Sequence, residues 1–125
     1  MRKWVALGWI LFLAACQVNE ADAPEILTEE AQQIGSTSVV MGAEIKEIGP
    51  VKPVNYGFLW DTQSDITIAA AKNKVILGST SDPRKFSIKQ DKLLPATQHY
   101  YRGFAANGDY SKIYYGGTVT FTTLP

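Results

Sequence analysis

The feature that most limits the fold is a period-two alternation of apolar and polar residues that recurs through the last hundred residues. No eleven-residue window sustains the stripe of an amphipathic helix. Thr37 to Ile45 (TSVVMGAEI) sets Val39, Met41, Ala43 and Ile45 on one face, and Val54 to Trp60 (VNYGFLW) sets Val54, Tyr56, Phe58 and Trp60 on one face with Leu59 opposite. Lys74 to Leu77 is a short apolar run, and Lys85 to Gln90 (KFSIKQ) alternates Phe86 and Ile88 with polar residues. His99 to Ala106 and Ile113 to Thr122 are longer, aromatic-rich strands. Gly49-Pro50, Pro53, Gly78 to Pro83, Leu94-Pro95 and Asn107-Gly108 punctuate these segments. Asn-Gly between two aromatic strands signals a tight hairpin, because both residues tolerate positive φ. Ile66 to Lys74 (ITIAAAKNK) competes as a helical turn, but we read 61–83 as a long connection ending in a strand. Six or seven short strands predict an all-β, antiparallel sandwich.

The N-terminus follows another logic. Met1-Arg2-Lys3 is a short positive segment, and Trp4 to Ala15 is twelve residues without charge. At 1.5 Å per residue this run reaches roughly 18 Å as a helix, short of the roughly 30 Å hydrocarbon core. It fits the apolar region of a signal peptide better than a membrane span. Leu13-Ala14-Ala15-Cys16 ends the run with the only cysteine of the chain and resembles the bacterial lipobox. That resemblance implies a signal peptide over 1–15 and a lipidated Cys16 as mature N-terminus, carrying a thioether-linked diacylglycerol and an N-acyl chain such as palmitate. Buried acyl chains contribute roughly 0.8 kcal/mol per methylene, so two or three anchor a protein durably. In Gram-negative sorting, a residue other than Asp after the cysteine, here Gln17, implies the outer membrane. Residues 16–24 then form a lipidated, polar tether, and 25–125 the domain.

Charge and rare residues exclude several function classes. Twelve Lys+Arg balance twelve Asp+Glu, so no global basic field attracts nucleic acid. Loss of Arg2 and Lys3 with the signal leaves ten basic residues against twelve acidic ones. One Cys and one His exclude a disulfide framework and the usual His-pair and multi-Cys metal motifs. No nucleophile elbow, phosphate-cradling Gly-Lys-Ser/Thr loop or His-Glu-x-x-His occurs. Asp61, Asp65 and Asp82 supply the carboxylates a calcium ion favours, but without EF-hand spacing. The sequence therefore implies neither cofactor nor metal.

Four segments in order carry a further resemblance over about 25–125. Leu94-Pro95-Ala96-Thr97-Gln98-His99-Tyr100-Tyr101-Arg102-Gly103-Phe104-Ala105-Ala106-Asn107-Gly108 is similar to the E–F corner and strand F of fibronectin type III domains of bacterial surface proteins. Ile113-Tyr114-Tyr115-Gly116 with Val119-Thr120-Phe121-Thr122-Thr123 resembles their last strand, Ser38 to Ile45 their strand B and Gly57-Phe58-Leu59-Trp60 their strand C. The resemblance implies an immunoglobulin-like sandwich of about seven strands. His99 occupies the position usually held by the corner Tyr, and the buried Trp of eukaryotic strand B is absent.

The family register turns His99, Tyr101, Gly103 and Ala105 inward and Tyr100, Arg102 and Phe104 outward, where Tyr114 joins them. Phe58 and Trp60 are ambiguous: the register turns them out, their bulk turns them in. Turned out, Phe58, Trp60, Tyr100, Arg102, Phe104 and Tyr114 form a candidate binding face suited to a sugar ring or a protein; alternatively the long connection covers it. The expectation is a membrane-anchored, non-catalytic binding or spacer module of the bacterial envelope, contacting protein or glycan and not nucleic acid. A glycan-binding accessory lipoprotein is the first alternative and an envelope hydrolase the second.

Overall fold

The computed structural model describes residues 23–125. The signal peptide and Cys16 lie outside them. The strands are β1 (Glu25–Gln32), β2 (Val39–Glu47), β3 (Val54–Asp61), β4 (Asn73–Thr80), β5 (Arg84–Gln90), β6 (Gln98–Ala106), β7 (Ile113–Tyr115) and β8 (Val119–Thr122). One antiparallel sheet runs β1-β2-β5, and the other runs β4-β3-β6-β7 with β8 also paired to β6. Among the described residues no helix is long and apolar enough to cross a membrane.

The alternation becomes the inter-sheet core. Val39, Met41, Ala43 and Ile45 of β2 and Phe86 of β5 face Val54, Tyr56 and Phe58 of β3, Tyr101 and Ala105 of β6 and Phe121 of β8. Phe86 contacts Tyr56 and Phe58 with ring centroids 4.8 and 5.1 Å apart in tilted geometry, as the aromatic quadrupole favours. Where β6 crosses β2 the sheets approach closely: a Cβ on Gly103 would stand 2.7 Å from that of Ala43.

Eight strands replace the expected six or seven. β1 was not legible as a strand, and Ile113 to Thr122 divides into β7 and β8 at Gly116–Thr118. At this break the Gly103 N–H has no ladder partner and donates to Thr28 Oγ1 of the opposite sheet at 3.1 Å, while Gly103 O accepts from Gly116 N at 2.9 Å. Asn107-Gly108 does not make a two-residue turn. The loop is residues 107–112, Tyr110 takes the positive φ (61°), and the Asn107 side chain closes it through Lys112 N and Ser111 Oγ. The side chain of Asn107, rather than its own left-handed backbone, satisfies the turn. The expected connection 61–83 shortens to 62–72, because β4 runs through Gly78 to Thr80.

Candidate functional site

The anticipated aromatic face does not exist as one surface. Directly paired residues of antiparallel strands share a face, which settles each side chain. Phe58 is fully buried in the inter-sheet core. Tyr114 pairs with Ala105, a core residue, so it also lies on the inner face, at the sheet edge. Phe104 is outward as expected, yet fully buried, because the 62–72 connection folds over it. Leu59, Ile66, Phe104 and Ala106 form this second cluster, with Tyr100, Ile113 and Tyr115 packed partly against it. Tyr115, in phase with Ile113, holds the outer position expected for Tyr114.

Arg102 lies on this face as a clamp. Its Nε donates to Gly116 O at 2.9 Å and its Nη1 to Ile66 O at 3.1 Å, and the guanidinium sits 4.6 Å from the centroid of the Tyr115 ring. Burial pulls its pKa below the ordinary value, partly opposed by Tyr115. The Tyr115 hydroxyl accepts from Ile68 N at 2.9 Å. Asp61, the last residue of β3, accepts from the N–H of Thr62, Gln63 and Lys72 at 2.7, 3.2 and 3.0 Å. Burial raises its pKa, but the three N–H groups and the Lys72 charge outweigh that and hold the carboxyl below its usual range. Asp61 thus braces both ends of the connection. Among the described residues no three Asp, Glu, His or Cys side chains converge on a metal-sized site.

His99 is a corner residue. Its ring is buried, stacks on Phe121 at 5.3 Å, and places Nε2 3.3 Å from Leu94 O. A carbonyl only accepts, so Nε2 carries the proton. Two residues on, Tyr101 is fully buried and its hydroxyl donates to Glu29 O, tying β6 to β1; burial pushes its pKa up to about 12.

The strands have two poles. One holds the start of β1, with Glu25 opposite Glu47, and the loops 48–53, 81–83 and 107–112. The other, seven residues along β3 and so roughly 23 Å away, holds a groove of about 450 Å³ lined by Trp60, Asn73, Gln90, Asp91, Lys92 and His99, among others. Trp60 continues the inward face of β3 and is half-buried where the sheets part. A larger concavity, about 590 Å³, runs past Glu29, Tyr56, Arg84 and Phe86. Its cations are already matched: Arg84 lies 5.3 Å over the Tyr56 ring and Lys85 is 3.6 Å from Glu29. The smaller groove therefore holds the more available chemistry. Asn73, Gln90 and Lys92 carried no sequence motif. Trp60, ambiguous in the sequence, shares the inward phase of Val54, Tyr56 and Phe58 in the fold.

No protein-family model matches the chain, and no curated protein matches it either. In structure the chain is similar to the sensor domain of the anti-sigma factor RsgI4 of Pseudobacteroides cellulosolvens. For a short form of that domain the TM-score is 0.59 at 19% identity, covering 81% of this chain and 94% of that one. It is also similar to a fibronectin type III domain of human fibronectin type III domain containing protein 3, with TM-score 0.56, 14% identity and 83% and 89% coverage. A computationally redesigned β-sandwich gives 0.53 at 21% identity, with 81% and 93% coverage. At these identities the likeness is one of fold. The chain is an all-β, fibronectin type III-like sandwich.

Proposed function

We propose that this chain is a non-catalytic binding module of the bacterial cell envelope, lipid-anchored through Cys16 and sorted to the outer membrane. The observation that supports this most is the spacing between lipobox and fold. Pro24 is already buried and β1 begins at Glu25, so eight residues from Cys16, at most about 28 Å of extended chain, join the anchor to the sandwich. On this reading the pole with loops 48–53, 81–83 and 107–112 faces the lipid, and the Trp60 groove faces away from it.

The non-catalytic reading draws on how the reactive side chains are used. The single His donates to a backbone carbonyl in a packed corner, and Asp61 is engaged by three backbone N–H groups. Both side chains are used to hold the fold. With ten basic residues against twelve acidic after processing, attachment to anionic lipid by charge is weak, which leaves the acyl chains as the anchor.

The test is fractionation of cells producing the chain and its Cys16→Ala variant, followed by cross-linking in intact envelopes. The reading expects the wild type in outer-membrane fractions, the variant released from membranes, and cross-links to an envelope component. Retention of the variant on membranes overturns the anchor, and absence of any cross-link overturns the binding role.

A further inference from the structure

We infer that the groove at the pole opposite the tether is a binding site for an uncharged pyranose saccharide. This rests on the binding-module reading above, and its fluorescence test on removal of residues 1–15.

The period-two face of β3 places Val54, Tyr56 and Phe58 in the core and carries Trp60 one step past its end, so the ring is only half-buried and floors the mouth between the sheets. Residues 91–94 follow β5 along the rim, where Lys92 takes a left-handed φ of 63° and Leu94 is 60% exposed. An apolar floor and an exposed apolar rim match the C–H face of a sugar ring.

Hydrogen-bonding groups stand around that floor with their orientation already set. Asn73 Nδ2 donates to Trp60 O at 3.2 Å, and Gln90 Nε2 donates to Asp91 O at 2.9 Å. Each amide keeps its carbonyl oxygen and one N–H for an incoming group, a donor–acceptor pair that suits vicinal hydroxyls. Holding them in advance lowers the ordering cost of binding.

Charge selects a neutral ligand. Asp61 and Asp91 balance Lys72 and Lys92 around the groove, so an anion or a cation would meet one opposing charge for each partner. The volume, about 450 Å³, lies within the roughly 300–1,000 Å³ of small-molecule sites.

Uncharged pyranoses occur in glucose polymers and in N-acetylglucosamine chains, and the test separates these sources. Trp60 is the only tryptophan left once residues 1–15 are removed, so intrinsic fluorescence reports on this groove alone. The processed, lipidated chain, in a detergent without a sugar headgroup, is titrated with cellohexaose and with tetra-N-acetylglucosamine. The expected result is a saturable emission change with at least one of them. Asn73→Ala and Gln90→Ala each weaken binding about three- to tenfold with an unchanged melting temperature, while Lys46→Ala at the tether pole leaves it unaltered. A response to cellohexaose alone assigns a glucan and a response to the tetramer alone a wall-type glycan. No saturable response to either, or a response untouched by both amide variants, overturns the proposal. If sugars fail while Asn73→Ala or Gln90→Ala abolishes an envelope-protein cross-link, the groove docks protein, with exposed Leu94 and Leu124 at the same pole as the contact. The saccharide assignment then falls and the binding-module reading stands. If sugars and cross-links both fail, both fall.

Discussion

Arg102→Met tests whether the connection over the outer sheet face is a built part of the fold. The substitution keeps an apolar stem against Tyr115 and removes the guanidinium. Two charge-assisted hydrogen bonds are lost, to Gly116 O and Ile66 O, along with the cation–π contact to Tyr115. Ile66 and Gly116 are buried and the two bonds partly so, so we assign about 1 kcal/mol to each bond, with roughly 0.5 kcal/mol for the ring contact. The total is about 2–3 kcal/mol. For a domain of about a hundred residues this lowers the melting temperature by roughly 10–20 °C. Urea denaturation gives the free energy, and amide exchange gives its location: the N–H groups of Ile68 and Lys72, bonded to Tyr115 and Asp61, exchange faster than β2 amides lose protection. Arg102→Lys recovers less than half, because a point charge does not bridge two carbonyls in a fixed fork. Lys85→Met is the control, since its pair with Glu29 is solvent-exposed and contributes under about 1 kcal/mol. A loss under about 0.5 kcal/mol for Arg102→Met refutes the clamp.

Asp61→Asn alters the acid limb of stability. The Asp61 carboxyl is held below the usual carboxylate range, so its stabilisation is fully present above the unfolded pKa and is lost as pH falls through the folded one. Wild type therefore loses stability below about pH 4, and the variant shows a flatter profile with lower stability at pH 7, read from melts between pH 2.5 and 7. Ala96→Gly acts in the opposite direction. Ala96 has φ 50° while its N–H donates to Leu124 O at 2.9 Å, and relief of the left-handed conformation outweighs the added freedom of the unfolded chain. We expect up to about 1 kcal/mol of stabilisation by urea denaturation; a loss contradicts the corner geometry.

The sandwich was legible because its core strands alternate without interruption. Val39-Met41-Ala43-Ile45 and Phe86-Ile88 had only one way to bury their apolar face, and in β6 the phase of His99, Tyr101, Gly103 and Ala105 carried the inward set. β1 was not legible, since EILTEEAQ places Ile26 and Thr28 inward among charges and is defined by pairing with β2. The aromatic face failed for a tertiary reason. Phase reports which side of a sheet a residue is on, but not what lies above that side. Phe104 was outward and still buried, because Asp61, Arg102 and Tyr115 fasten 62–72 over it through backbone groups that leave no sequence pattern. The groove shared this difficulty: Asn73 opens β4, Gln90 ends β5 with Lys92 just beyond it, and only the fold brings them together.

On the proposed function, a lipid on Cys16 holds this sandwich at a membrane with its Trp60 pole turned away. The most direct measurement is the intact mass of the membrane-extracted chain, with fragmentation of its N-terminal peptide. The expected product is a chain that begins at Cys16 and carries a diacylglyceryl thioether, the added acyl chain on its amino group, and no residue before it. A free Cys16 thiol, on a chain cut elsewhere or still starting at Met1, contradicts it.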